Sequence, residues 1–247
     1  MPPGKSDLIY PRIIAHRCGG ALAPENTLAG LRLAARLGCK GVEFDVMLSR
    51  DGVPVLIHDE TLERTTSGHG AVAAHSFAEL RTLDAGAWHG KAYAGEAIPS
   101  LAAALALCAE LGLWANVEIK PSAGREAETG AVVGHLLAAQ WNGRGVVSSF
   151  SATALASAHT EAARCDFALL VDTVPADWRP RLDQLGCRAL HCRAPLADPA
   201  GAGAVIAAGV PLACYTVNRR DQADALLRAG VAAVFTDRPD LWSPREM

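Results

Sequence analysis

Short apolar runs alternate along the chain with longer segments rich in alanine and leucine, and this rhythm continues over almost all of the 247 residues. The short runs have the length of buried β-strands, whereas the longer segments have the length and composition of helices. We predict nine strands: Arg12–His16, Gly41–Val46, Val53–His58, Ala115–Lys120, Gly145–Ser149, Phe167–Val171, Arg188–His191, Leu212–Val217 and Ala232–Thr236. We predict seven helices: Asn26–Leu37, Leu101–Leu111, Glu126–Gln140, Ala152–Ala163, Pro180–Leu185, Gly203–Ala208 and Arg220–Arg228.

Alternating strands and helices are typical of a parallel sheet, and the chain length is that of one α/β (β/α)₈ TIM barrel. Nine strands are one too many for this barrel. The Asp51-Gly52 pair predicts a hairpin turn, so we assign Val53–His58 to the return arm of a hairpin outside the parallel barrel. The competing fold is an open doubly wound sheet. It would be favoured by a glycine-rich phosphate loop, but the chain has no G-x-G-x-x-G or Walker A sequence.

The segment 61–100 interrupts the rhythm and is rich in glycine, threonine and histidine. It follows the hairpin after strand 2, and we predict a small insertion over the barrel mouth rather than a second domain. Residues 1–247 are therefore expected to form a single barrel domain.

Composition and charge restrict the kinds of molecule that the protein is expected to bind and the cellular compartment in which it is expected to work. The formal net charge is -3 and no basic stripe is visible, which argues against nucleic-acid binding. No apolar run reaches the roughly 18–20 residues that a membrane span requires, and the first residues lack the apolar region of a secretory signal. The seven cysteines are scattered and form no C-x-x-C pair. We therefore expect a cytoplasmic protein without disulfide bonds or stable membrane insertion.

Charged side chains stand at the ends of four apolar runs, in the sequences IIAHR, VEFDV, VLIHD and NVEIK. Ionisable groups in buried strands are costly unless they are paired or bind a metal, and barrel active sites lie at the carboxyl ends of strands. Glu43 and Asp45 are two residues apart and share one strand face, as do Glu118 and Lys120. Three converging carboxylates predict a site for Mg²⁺ or Ca²⁺. A structural ion-pair network with Lys120 and Arg17 is the alternative.

His16 and His58 each end an apolar run, and a histidine titrates in the range that general acid or base catalysis needs. Arg17 and Lys120 are the cations expected to bind a phosphate. A dication, two histidines and two such cations together suit phosphodiester cleavage. Alternatively, each histidine could be a core residue whose ring nitrogens are hydrogen-bonded and which has no part in catalysis.

Ten short sequences follow one another in a characteristic order: AHR at 15–17, PENT at 24–27, EFDV at 43–46, DG at 51–52, HD at 58–59, LERTTSGHG at 62–70, IPSL at 98–101, VEIKP at 117–121, YTVN at 215–218 and FTDRPD at 235–240. Through them the chain resembles the glycerophosphodiester phosphodiesterase family. The closest resemblance is to the small cytosolic bacterial enzymes associated with glycerol-phosphate uptake. This implies a (β/α)₈ barrel with a small insertion, and metal-dependent hydrolysis of glycerophosphodiesters to sn-glycerol 3-phosphate and an alcohol.

The resemblance also implies roles for individual residues. His16 and His58 would form the acid/base pair, Arg17 and Lys120 would bind the phosphate, and Phe150 and Tyr215 would line the glycerol side, while the metal ligands would be Glu43, Asp45 and Glu118. One departure is Cys18, where the family usually has the glycine of an H-R-G sequence, so the conformation of this loop is in question. The other is Tyr215, where the family often has tryptophan.

Two other classes of function were weighed against this one: a hydrolase with a different substrate and a binding protein without activity. A lysophospholipase D or a cyclic-phosphate hydrolase could use the same site, but the small and polar insertion favours water-soluble head-group diesters. A catalytically inactive binding protein would lack a histidine or an acid of the set, and all are present.

Overall fold

The computed structural model describes residues 8–141, 143–194 and 198–247. Within these ranges nine strands form one sheet: β1 (Ile13–Ala15), β2 (Gly41–Leu48), β3 (Pro54–Leu56), β4 (Trp114–Ile119), β5 (Gly145–Ser149), β6 (Phe167–Val171), β7 (Ala189–Arg193), β8 (Leu212–Tyr215) and β9 (Ala233–Thr236). Eight of them pair in parallel, and the pairing of β1 with both β2 and β9 closes the barrel. The predicted (β/α)₈ TIM barrel is confirmed.

The predicted hairpin is also confirmed, because β3 runs antiparallel to β2 and does not join the closed barrel. Predicted strand ends differ from the observed ones by a few residues. In particular, His16 and His58 lie just beyond β1 and β3 rather than within them. Both histidines are therefore on loops that the strands direct into the barrel mouth.

The described helices are α1 (Leu28–Leu37), α2 (Phe77–Leu80), α3 (Leu101–Leu111), α4 (Glu126–Gln140), α5 (Ala152–Glu161), α6 (Trp178–Leu185), α7 (Pro199–Ala207) and α8 (Arg220–Arg228). The predicted start of α7 was wrong by four residues, since Pro199 begins the helix and the Asp198 side chain accepts a hydrogen bond from the Ala200 backbone. The short α2 was not predicted. It begins with a capping box between Ser76 and Glu79 inside the insertion.

Apolar side chains fill two regions of the barrel. One lies between the strands and the surrounding helices and includes Phe44, Leu101 and Phe167. The other fills the interior near the amino ends of the strands, where Tyr10 and Trp114 pack among small alanine side chains. Polar residues occupy the opposite end of the barrel interior, near the carboxyl ends of the strands. No helix in the described part of the chain has the length and apolar content needed to cross a membrane.

Close packing of α4 on α5 depends on glycine. A Cβ atom on Gly130 would overlap the carbonyl oxygen of Ala154, whereas a Cβ atom on Gly203 in α7 would meet nothing within 4 Å. We expect Gly130→Ala to lower the free energy of unfolding by about 1–3 kcal/mol through overpacking. Gly203→Ala, the matched control, should raise it by about 0.5–1 kcal/mol because alanine is the better helix former.

Chemical denaturation of both variants beside the wild type measures these changes. Equal stability of the two variants would contradict the packing argument.

Candidate active site

Three carboxylates meet at the carboxyl ends of two neighbouring strands. β2 provides Glu43 and Asp45, β4 provides Glu118, and Asp45 is the register partner of Glu118 in the parallel pair. One oxygen from each side chain can be chosen so that all three lie within 4.8 Å of one another. Both β2 carboxylates are only 2% exposed. The structure therefore brings together the residues that the sequence predicts as metal ligands.

The charges of these carboxylates are poorly compensated. Burial, followed by repulsion from Asp45, raises the pKa of Glu118 to about 8. Burial, with repulsion from Asp45 and Glu118, also raises the pKa of Glu43. The Oε1 atom of Glu43 is buried without a hydrogen-bond partner among the described residues. Such a group of oxygen donors fits a hard divalent cation, which would remove the repulsion and pair the free oxygen.

His16 is held by a carboxylate that residue spacing does not reveal. Its Nδ1 atom lies 2.7 Å from Oδ1 of Asp237, and its Nε2 atom lies 3.8 Å from Oε2 of Glu43. Asp237 is fixed in turn by Asn218, whose Nδ2 donates to the Asp237 carboxylate and whose Oδ1 accepts from the Asp237 backbone, both at 2.8 Å. The contact between His16 and Asp237 fixes the imidazole orientation, with Nε2 towards the acidic cluster. Asp237 lies in the FTDRPD sequence, where no role was predicted for it.

His58 reaches the site because β3 runs back towards the barrel, where the Ile57 backbone donates to the Asp45 carbonyl at 3.2 Å. The His58 Nδ1 atom lies 2.6 Å from Oδ1 of Asp59, and the Lys120 ammonium lies 2.7 Å from Nε2. Because an ammonium group only donates, Nε2 must accept and Nδ1 must carry the proton. Burial lowers the pKa of His58, and the neighbouring Arg17 and Lys120 charges add to this effect.

Arg17 contacts several carboxylates. Its backbone amide donates to Glu43 Oε2 at 2.7 Å, its Nη1 donates to Glu25 Oε1 at 3.1 Å, and its Nε lies 3.8 Å from Asp45 Oδ2. Arg17 and Cys18 both have positive φ angles, of 49° and 75°. Cys18 thus adopts the left-handed conformation that glycine favours, at some cost in strain, and the loop still aims the Arg17 amide at the acidic cluster.

Asn26 supports the acidic cluster directly. Its Nδ2 donates to Asp45 Oδ2 at 2.8 Å and its Oδ1 accepts from the Asp45 backbone at 3.1 Å. Asn26 does not cap α1, because the cap is Thr27, whose side chain accepts from the Gly30 backbone. Asn26 therefore organises the first loop.

Arg64 links the insertion to the site, a contact that residue spacing did not predict. Arg64 donates two hydrogen bonds of 2.8 Å to the Glu25 carboxylate and two bonds, of 2.5 and 3.0 Å, to the Asp59 carboxylate. The same Asp59 holds His58. The insertion therefore ties the first loop to the loop that carries the second histidine.

His16 lines two cavities. The smaller one, of about 30 Å³, is lined by His16, Glu43, Asn116, Glu118, Phe150, Leu170, His191, Tyr215 and Phe235. Phe150 is 47% exposed and meets Tyr215 edge to face at 5.9 Å, so these two rings form one wall. The larger cavity, of about 470 Å³, is an open groove lined by His16, Arg17, Gly20, Ala21, Ala23, Glu25, Trp88, His89, Thr216 and Asp237.

Residues 16–241 match the model of the glycerophosphoryl diester phosphodiesterase family. The chain belongs to this family. A glycerophosphodiester phosphodiesterase of Caldanaerobacter subterraneus subsp. tengcongensis is 32% identical over 233 residues, covering 92% of this chain and 94% of the relative. The chain is thus a phosphoric diester hydrolase, and the family resemblance seen in its motifs is confirmed.

Solved structures of other phosphodiesterases share the fold. A phosphodiesterase from Oleispira antarctica, in complex with the product sn-glycerol-3-phosphate, superposes with a TM-score of 0.90 at 40% identity and covers 94% of each chain. A glycerophosphodiester phosphodiesterase from Agrobacterium tumefaciens superposes with a TM-score of 0.76 at 29% identity, covering 94% of this chain and 98% of its own. The acidic cluster and its flanking histidines therefore lie at the mouth of a barrel that other phosphodiesterases share.

Proposed function

We propose that the enzyme hydrolyses glycerophosphodiesters to sn-glycerol 3-phosphate and an alcohol, using a divalent cation and the His16/His58 pair. The observation that carries this proposal is the buried cluster of Glu43, Asp45 and Glu118, placed between two histidines that carboxylates orient. The Oleispira antarctica phosphodiesterase with its bound sn-glycerol-3-phosphate supports the same product.

The proposed metal ligands are Glu43, Asp45 and Glu118. All three offer only oxygen, which favours Mg²⁺ or Ca²⁺ over softer metals. When bound, the cation polarises a phosphoryl oxygen and lowers the pKa of the attacking hydroxyl or water. Asn26 keeps Asp45 in place through its two hydrogen bonds.

Arg17 and Lys120 are proposed to bind the phosphate. Both cations lie beside the acidic cluster, with Arg17 Nε and Lys120 Nζ each 3.8 Å from an oxygen of Asp45. Charge grows on the phosphoryl oxygens as the nucleophile attacks, and fixed cations stabilise it because they need no reorganisation. In this position the two cations would lower the barrier as well as bind the substrate.

Proton transfer is assigned to the Nε2 atoms of the two histidines. The Nδ1 atom of His16 faces Asp237 and that of His58 faces Asp59, so in each ring Nε2 is the atom that can exchange a proton. His58 Nε2 accepts from Lys120, which would release it on turning to the phosphate. One histidine accepts the proton of the attacking oxygen as the new P–O bond forms. The other donates a proton to the alkoxide as the old P–O bond breaks.

The open groove beside His16 is proposed to take the leaving alcohol. Its walls carry the charged groups of Arg17, Glu25 and Asp237 together with the exposed indole of Trp88. The charged groups suit a water-soluble head group, and the indole of Trp88 offers an apolar face beside them.

Product analysis tests the proposed function. The purified enzyme with Mg²⁺ should convert glycerophosphocholine into equal amounts of sn-glycerol 3-phosphate and choline, as followed by ³¹P NMR and a choline assay. Lysophosphatidylcholine below its micellar concentration should react more slowly. Release of phosphocholine and glycerol, or a preference for the lysophospholipid, would contradict the proposal.

A further inference from the structure

The guanidinium group of Arg64 joins two carboxylates that lie beside the proposed catalytic residues. Arg64 belongs to the insertion, whereas Glu25 lies in the loop before α1 and Asp59 in the loop after β3. Nη1 and Nη2 of Arg64 donate to the two Glu25 oxygens at 2.8 Å each, and Nε and Nη2 donate to the two Asp59 oxygens at 2.5 and 3.0 Å. Both carboxylates are thus held in the paired geometry that arginine favours.

Asp59 transmits this restraint to His58. The Oδ1 atom of Asp59, which accepts from Nη2 of Arg64, also lies 2.6 Å from Nδ1 of His58. Hydrogen bonds from Arg64 lower the pKa of Asp59, so this carboxylate stays ionised and accepts the Nδ1 proton. The orientation of the His58 ring, and with it the direction of Nε2, therefore depends on where Asp59 is held.

Glu25 is the fixed end of this chain of contacts. Its side chain is 13% exposed, whereas those of Asp59 and Arg64 are 28% and 45% exposed, and its Oε1 atom also accepts from Nη1 of Arg17 at 3.1 Å. Among the described residues, His58 is the other side chain that bonds the Asp59 carboxylate. Without Arg64, Asp59 would therefore be free to turn into solvent and take the restraint on His58 with it.

We propose that Arg64 is a positioning residue for the hydrolysis: it holds Asp59 against His58 and so keeps the imidazole in the orientation that proton transfer requires. This inference rests on the proposed function, because it takes His58 to be one of the two proton-transferring groups. A purely stabilising role suits Arg64 poorly, since ion pairs of side chains as exposed as this one usually add little to stability. The insertion thereby takes part in catalysis through a residue that does not touch the substrate.

Arg64→Met removes the guanidinium group and keeps much of the length of the side chain. With glycerophosphocholine and saturating Mg²⁺, kcat of this variant should fall about tenfold to a hundredfold, because a misplaced imidazole transfers protons poorly. KM should change by less than about threefold, since His58 is not proposed to bind the substrate. Steady-state kinetics separate the two constants. An unchanged kcat, or a loss confined to KM, would overturn the proposal.

A double-mutant cycle with His58→Ala distinguishes positioning from a general structural effect. If Arg64 acts through His58, adding Arg64→Met to His58→Ala should lower kcat by less than about threefold, because residues that act as one unit are not additive. A structural effect would lower kcat as much in this background as in the wild type. Such an additive loss would overturn the inference.

Arg50→Met is the matched control and should keep the wild-type kcat. Arg50 also bonds the insertion and is 56% exposed, but in the described chain its hydrogen bond and its ion pair go to Ala74 and Glu79.

Arg64→Lys replaces Arg64→Met in the test if the latter does not fold. It keeps a positive charge but lacks the fork that holds two carboxylates, so kcat should still fall about tenfold. Each variant is compared with the wild type in its unfolding curve and its Mg²⁺-induced thermal shift. If the wild type released no sn-glycerol 3-phosphate from glycerophosphocholine, the proposed function itself would fail. If it did release this product and the Arg64 variants kept full turnover, only the present inference would fail.

Discussion

Excess EDTA should abolish the hydrolysis of glycerophosphocholine, and Mg²⁺ or Ca²⁺ added beyond the chelator should restore it. The physical reason is the acidic cluster: burial and repulsion between the carboxylates raise the pKa values of Glu43 and Glu118, and a bound cation would stabilise their charged forms. In the proposed mechanism, removing the cation would also remove the Lewis acid that activates the nucleophile. Initial rates in EDTA, before and after metal is added back, measure the effect.

A thermal shift gives a readout of the metal that does not depend on activity. A ligand that binds the folded state at a hundred times its Kd stabilises it by about 2.7 kcal/mol, which for a chain of this length raises Tm by about 5–10 °C. Glu118→Gln should lose most of this shift. In EDTA the same variant should be at least as stable as the wild type, because the substitution relieves repulsion from Asp45.

Full activity in excess EDTA, together with an unchanged Tm on adding either cation, would show that the cluster is not a metal site. The ion-pair network with Arg17 and Lys120 would then be the better interpretation of the three carboxylates.

The strand pattern was predictable because each barrel strand is buried on both faces and appears in the sequence as a short apolar run. The three acidic residues of the site were predictable because a charged side chain is conspicuous inside such a run. Glu43, Asp45 and Glu118 interrupt such runs, and the two-residue period of a strand places Glu43 and Asp45 on one face. β4 is the next barrel strand after β2 and pairs with it in parallel, so local spacing and fold class together were sufficient to place these three residues near one another.

The carboxylate partner of His16 depends on closure of the barrel, so residue spacing gave no signal for it. Asp237 follows β9 and His16 follows β1, and these residues meet only because the last strand pairs with the first. Arg64 comes from the insertion, whose path no periodicity predicts. The positive φ of Cys18 is likewise set by the loop around it, in a conformation that glycine usually adopts.

His16→Ala and His58→Ala should each lower kcat by about 10²–10⁴-fold while leaving the fold intact. Neither side chain belongs to the apolar core, since their exposed fractions are 17% and 26%, so their removal leaves little cavity. Each imidazole is already oriented by a carboxylate, which is the arrangement that a proton-transferring group requires. Steady-state kinetics on glycerophosphocholine at saturating Mg²⁺ measure the loss.

His135→Ala provides the matched control, because His135 is a histidine on α4 with an 81% exposed side chain and should be replaceable without loss of activity. Since His16 lies 3.8 Å from Glu43, each variant must also show the wild-type thermal shift with Mg²⁺, so that a lost proton transfer is not confused with a lost metal. A variant that binds the cation normally and keeps turnover within about threefold of the wild type would exclude its histidine from proton transfer. If only one histidine proved dispensable, the other would have to serve both proton transfers, or a water molecule would replace the missing acid or base.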